Sequence, residues 1–281
     1  TDPSNMAWLA GYDGWSFYVH QGVLLAHEGQ PVWWGRGMDS AGAQRTTYLD
    51  DDNIVGYDDT YVQNPDKHPM EDLARLIADR GLENARIGFE LDNYYFTASA
   101  FLTLQTRLPG VNIQNATALV NWQRAVKSPT ELEYMRRAAR IVERMHEVIR
   151  EKAEVGMRKN DLIADIYHAS VSGAEGHWGD YPACVPMTPS GLDATAPHIT
   201  WDDAPLRNNE GTFFEIAGAH RRYQCPQSRT LFLGKPPQKY LHAENAVLEA
   251  IDAGLEQAKP GNRCEDIARA FNTTLRNRGF E

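Results

Sequence analysis

Cysteine is scarce in this chain: 281 residues carry three, Cys184, Cys225 and Cys264, and no two form a CxxC pair. An odd set cannot pair completely, which excludes a disulfide scaffold and points to reduced thiols in a cytoplasm. Long hydrophobic runs are missing as well. No window approaches the roughly 18 apolar residues of a membrane span, and the opening residues show no basic-then-apolar export pattern. Basic residues fall short of acidic ones, 28 against 38, for a net charge of −10. That balance excludes the basic stripe of a nucleic-acid surface and reads as a solubility device. Internal repeats and low-complexity stretches are also lacking. The first residues, Thr1-Asp2-Pro3-Ser4, do not begin with Met, so residues before them are expected.

What is present suffices for two domains with separate cores: 42% of residues are hydrophobic, and there are 7 Trp and 12 Tyr. The first part reads as α/β. Val23 to Ala26 and Pro31 to Gly35 are apolar runs split by His27-Glu28-Gly29-Gln30, a strand–turn–strand pattern. Met70 to Arg80 has Leu73, Leu76 and Ile77 at helical spacing and stops at Gly81. Arg86 to Phe89 follows as a strand, and Thr97 to Leu108 as a helix ended by Pro109-Gly110.

A boundary falls near residues 121–129. Ser128-Pro129-Thr130-Glu131 combines an N-cap, a Pro in the first turn and a Glu three residues on. The helix it opens carries Leu132, Met135, Ala139, Val142, Met145 and Ile149 as an apolar stripe that should bury against a large sheet. Asn160 to Ser172 is a second helix. His177 to Asp203 is rich in loop residues. Thr212 to Ala217 and Thr230 to Leu233 read as strands around a turn. Two helices, about 237–258 and 263–278, finish the chain, the second capped by Asn262 with Glu265.

Three stretches then carry a likeness: Arg124 to Leu132 (RAVKSPTEL), Ala196-Pro197-His198, and Phe213 to Gly218 through Ser228 to Gly234 (FFEIAG and SRTLFLG). In this order and spacing they resemble the creatinase and aminopeptidase-P, or pita-bread, family. Ser4 to Tyr18 (SNMAWLAGYDGWSFY) is most similar to the ectoine hydrolases within it. The resemblance implies a mixed α/β and α+β fold. A creatinase-like N-terminal domain would occupy 1–122, and a pita-bread catalytic domain 123–281. It also implies a further stretch of that domain after Glu281, with the remaining His and two Glu ligand positions, and a cytoplasmic homodimer.

In metal-dependent members of the family, two Asp on adjacent strands bridge two divalent ions. The matching positions here are Glu215 and Pro226. Proline offers no side-chain donor, and a Glu sets its oxygens one methylene further out. A two-metal clamp is therefore not expected, and the resemblance to metal-free creatinases implies no metal and no cofactor. Ectoine, the implied substrate, is a small zwitterion: a cyclic amidinium bearing a carboxylate. Its amidinium carbon is already electrophilic, and an uncommitted carboxylate attracts it where a dication would repel it.

The resemblance places catalysis on Glu215, as base or as nucleophile, and on His198, as the proton donor to the departing ring nitrogen. Without it, Glu215 in an apolar strand is as readily a buried ion-pair partner, and His198 a loop histidine. His177 and Tyr181 are candidate substrate contacts, or members of a packed loop. Trp15 and Tyr18 are candidates because aromatic faces suit a flat cation, and because in this family the N-domain of one subunit often covers its partner's cleft. His220-Arg221-Arg222 reads as a solvated turn, Arg229 as support for the strand pair, and the cysteines as inert thiols. Three other functions share these features: a creatinase-like hydrolase of another guanidino or amidine compound, a metal-dependent Xaa-Pro peptidase, and a non-catalytic binding module. No nucleic-acid or membrane partner is expected.

Overall fold

Asp2 accepts the backbone N–H of Asn5 and so starts α1 (Pro3–Ala10), which ends where Gly11 turns left-handed at φ 79°. The computed structural model describes residues 1–280. They divide into two compact units, Thr1–Ser128 and the remainder from Pro129 on.

In the first unit β1 (Gly22–Leu24) runs antiparallel to β2 (Val32–Arg36), with Leu24 opposite Val32. β2 in turn pairs in parallel with β3 (Ile54–Tyr57). A second parallel pair joins β4 (Arg86–Phe89) to β5 (Asn112–Asn115). The unit's other helices are α2 (Ser40–Thr46), α3 (Met70–Asp79), α4 (Ala98–Arg107) and α5 (Leu119–Gln123). Neighbouring residues of a strand point to opposite faces, and β2 uses this to build two cores. Trp34 joins Tyr57, Met70, Ile77 and Leu104. Trp33 joins Met6, Tyr12 and Leu49. The Trp34 indole N–H, which would be costly to bury unpaired, donates to Asp72 Oδ1 at 3.0 Å.

The second unit opens with α6 (Pro129–Lys152) and α7 (Lys159–Ser172). On α6 the buried residues are Ala138, Ile141, Val142, Met145, Val148 and Ile149. The stripe expected from spacing holds from Val142 onward, but Leu132 is exposed and Met135 and Ala139 are half-buried. Among the described residues α6 packs on an antiparallel ribbon of β6 (Glu210–His220) and β7 (Tyr223–Leu233). Both strands are longer than their apolar cores suggested. They continue through the run Tyr223 to Arg229, where β7 keeps its register with β6 past the apolar residues.

Close approach of the ribbon to α6 depends on Gly218. A Cβ at that position would lie 2.3 Å from Ala138 O and 2.6 Å from Val142 N. The turn between the strands has two residues, Arg221 (φ 48°) and Arg222 (φ 67°). Both are left-handed, as a type I′ hairpin requires, although Asn-Gly is the usual choice. α8 (Gln238–Gln257) and α9 (Cys264–Asn277) pack on each other, and Arg278 bonds to Glu249. The cap of α9 lies one residue later than expected: Arg263 donates its N–H to Asp266 Oδ2 at 2.9 Å, so Asp266 and not Glu265 closes the box. Among the described residues no helix is long and apolar enough to cross a membrane.

Candidate active site

The ribbon register sorts its side chains onto two faces. Phe214, Ile216, Gly218 and His220 turn toward α6, together with Cys225 and Leu231. Phe213, Glu215 and Ala217 turn the other way, with Thr230, Ser228 and Pro226 opposite them in that order. Glu215 is thus paired across with Ser228, at a Cβ separation of about 5 Å. Pro226 stands two register pairs further along, on the same face.

A third segment lines the free edge of β6. Met187 and Glu215 exchange both backbone hydrogen bonds, at 2.9 and 3.0 Å, and Phe213 donates to Pro189 O at 3.0 Å. Gly191 donates to Gly211 O at 2.9 Å. Towards the hairpin tip the pairing resumes where Asp180 donates to Ala219 O. Between these points six residues, 181–186, stand opposite three, 216–218, so the loop must bulge out. The bulge carries Cys184 close enough to Glu215 for their charges to interact. Burial first, and the Glu215 carboxylate second, push the Cys184 thiol up. It therefore stays protonated and inert near neutral pH.

The Glu215 carboxylate itself is half-buried and makes no hydrogen bond or ion pair among the described residues. The ion-pair role open to it on sequence grounds is not the one this structure displays. His198 lies on the exposed part of the loop that returns from Gly191, with its backbone left-handed at φ 64°. That loop is tied back where Thr188 donates to Thr200 O at 3.4 Å.

Other candidates occupy different surroundings. Tyr181 is half-exposed and lies under the Arg222 guanidinium, 4.0 Å from ring centroid to carbon. Arg222 also donates through its backbone and Nη1 to the buried Asp180, at 3.1 and 2.9 Å. This clamp holds the left-handed turn and makes Arg222 a structural cation. His177 stacks near His220, with centroids 5.6 Å apart, on the α6 side of the ribbon and away from the Glu215 face. In the first unit Trp15 and Tyr18 are both 62% exposed and touch each other at 5.8 Å, while Tyr12 is buried against Trp33.

Two features escaped the reading by motif. The rings of His20 and His68 lie tilted against each other with centroids 4.8 Å apart, and burial first, then His68, press His20 down to about 4. A cleft of about 500 Å³ between α6 and β7 holds His146 beside Arg150, Arg229 and Glu143. His146 Nε2 is buried there without a partner. No spacing in the sequence flags either histidine, because each meets its neighbours only through tertiary packing.

The donors on the Glu215 face do not fit the metal pair of the family. Of the two positions, Glu215 carries a carboxylate and Pro226 no side-chain donor.

Residues 133–281 match the model of metallopeptidase family M24, and residues 1–126 match the creatinase/prolidase N-terminal domain. The chain belongs to family M24. Its fold is a creatinase N-terminal domain followed by a pita-bread domain. Curated M24-type relatives include the ectoine hydrolase of Halomonas elongata, 55% identical over 100% of this chain and 72% of its own length. Another is an uncharacterized hydrolase/peptidase, y4tM, of Sinorhizobium fredii, 38% identical with the same coverage of 100% and 72%. Among solved structures, a prolidase from Thermococcus sibiricus superposes with a TM-score of 0.81 at 17% identity, covering 98% of this chain and 71% of that one. The dipeptidase PepE of Mycobacterium ulcerans gives 0.78 at 22%, covering 99% and 71%. At these identities the structural likeness speaks for the fold alone.

Proposed function

We propose that this M24 protein is a metal-independent hydrolase that opens the cyclic amidine ring of ectoine to an N-acetylated 2,4-diaminobutyrate. The observation that carries the reading is the uncommitted carboxylate of Glu215, on a face where the second metal-ligand position is Pro226. The 55% identity to an ectoine hydrolase supports the substrate. A carboxylate without a structural partner is available to a cation, and an amidinium brings its own electrophilic carbon.

Glu215 either removes a proton from the attacking water or adds to the amidine carbon directly. In the first case a C–O bond forms at that carbon as one ring C–N bond breaks. His198 delivers a proton to the departing nitrogen, leaving the acetamide and a free amine. Trp15, Tyr18 and Tyr181 offer exposed aromatic surface suited to a flat amidinium. His177, turned toward His220, is left out of the proposal. A cytoplasmic homodimer acting on a small zwitterion completes it.

The test is ectoine consumption by the full-length, chelator-treated protein, followed by NMR. Ring opening without added metal supports substrate and mechanism together. Turnover only after a divalent ion is restored defeats the metal-independent part, and no turnover in either state defeats the substrate assignment. Trapping a covalent adduct by mass spectrometry separates the nucleophile from the base.

A further inference from the structure

We propose that the ion pair between the buried Lys159 and the solvent-exposed Asp202 is the anchor that sets the position of His198, a role that rests on the catalytic reading of His198 given above. Lysine is almost never fully buried unless paired, and a cation in the first turn of a helix opposes the helix dipole. Lys159 does both: it is the first residue of α7 and only 5% exposed. Its ammonium lies 2.8 Å from Asp202 Oδ1. The same oxygen accepts the N–H of Ala204 at 3.0 Å, so one carboxylate shapes its own turn and docks it on the helix.

Asp202 follows His198 by four residues, a reach of at most about 14 Å. The limb that leads away from His198 is bonded to the start of α7: Lys159 N to Ala204 O at 3.1 Å, Leu206 N to Met157 O at 2.8 Å, and Gly156 N to Leu206 O at 2.9 Å. The ring of Trp201 packs edge-on to Tyr167 at 6.1 Å. The other limb is bonded to β6 at Glu215 through Met187. Between the limbs, Pro197, His198 and Ile199 make no hydrogen bond among the described residues. The imidazole is therefore placed by its limbs and not by contacts of its own. Of the ion pairs there, Arg158–Asp203 has both side chains open to solvent, 52% and 81% exposed, and contributes little, whereas the Lys159 side chain is 6% exposed beside an Asp202 that is 52% exposed. Lys159 is the charge that cannot lose its partner cheaply.

Lys159 and Asp202 are thus positioning residues, tested in the full-length enzyme with ectoine as substrate. Asp202→Asn is expected to lower kcat roughly tenfold or more while KM shifts by less than about threefold, the pattern of a mispositioned transition-state group. Lys159→Met, which leaves no buried charge behind, is expected to do the same, and Lys159→Arg to recover most of the rate. Amide exchange should quicken at residues 197–204 and stay slow in β6. Wild-type kcat in Asp202→Asn and Lys159→Met, with turnover lost in His198→Gln, overturns the anchor and leaves the reading of His198 standing. A fall in kcat that merely tracks a fall in thermal midpoint also overturns it. Wild-type turnover in His198→Gln defeats the reading of His198 and the anchor with it.

Discussion

Glu215 and Pro226 share one face of the β6–β7 ribbon: Pro226 stands opposite Ala217, two register pairs from Glu215 and Ser228. An acidic residue at 226 would face the same space as Glu215, whereas proline offers no carboxylate there. Prolonged chelation is accordingly expected to leave ectoine turnover within about twofold of the untreated enzyme, since no transition-state charge is assigned to an ion. A loss that added Zn²⁺ or Mn²⁺ restores would count against this.

Among the described residues the Glu215 carboxylate has no hydrogen-bond or ion-pair partner, which separates catalysis from stability. Glu215→Gln should cut kcat by about 10²–10⁴, yet leave the urea midpoint unchanged or slightly raised, because no ion pair is broken. Marked destabilisation of this variant would return Glu215 to a structural role.

Gly218 should not tolerate a side chain. The Cβ of Gly218→Ala would meet Ala138 O at 2.3 Å, and both atoms belong to rigid elements. A loss of about 1–3 kcal/mol in equilibrium unfolding is expected, whereas an unaltered midpoint would mean that α6 and the ribbon can move apart.

The two arginines of the hairpin turn should respond in opposite directions. Arg221 is exposed and left-handed, and its guanidinium lies over the face of Tyr134 at 5.8 Å. Arg221→Asn relieves backbone strain and should stabilise by about 0.5 kcal/mol or more. Arg222→Asn relieves the same strain but leaves Asp180 buried without its guanidinium, at a net cost of about 2 kcal/mol. Chemical denaturation of both variants decides the matter, and equal effects would contradict the clamp.

Acid should weaken the fold before its carboxylates titrate. His20 is held down to about 4 by burial and by His68, and His146 to about 4 by burial, Arg229 and Arg150, from an ordinary 6.5. Between those values the unfolded chain binds more protons than the folded one, so stability is complete above about 6.5 and declines as pH falls toward about 4. Denaturation midpoints across that window should fall less steeply in His20→Phe and in His146→Phe. Slopes identical to the parent in both variants would show that neither histidine is neutral in the fold.

Local patterns made several elements legible in advance. Apolar spacing placed α3 and the second half of α6, and Gly81 and Pro109-Gly110 marked where helices stop. Patterns failed where tertiary contact overrides local preference. The ribbon runs past its apolar core because the register of β6 with β7 carries on through Cys225, Pro226 and Gln227, opposite Gly218, Ala217 and Ile216. Leu132 lies on the expected stripe of α6 and is nonetheless exposed, since among the described residues the ribbon covers only the later turns.

The sequence by itself determined the family, the two-domain order of elements and the identity of the residues at the ligand positions, because each follows from residue type and spacing along one chain. Only the tertiary structure decided that Glu215 has no hydrogen-bond or ion-pair partner among the described residues, that Arg222 is spent on Asp180, that His177 turns to the far face and that Lys159 grips Asp202. Each of these depends on which side chains meet across distant segments, and register, burial and loop closure settle that in three dimensions.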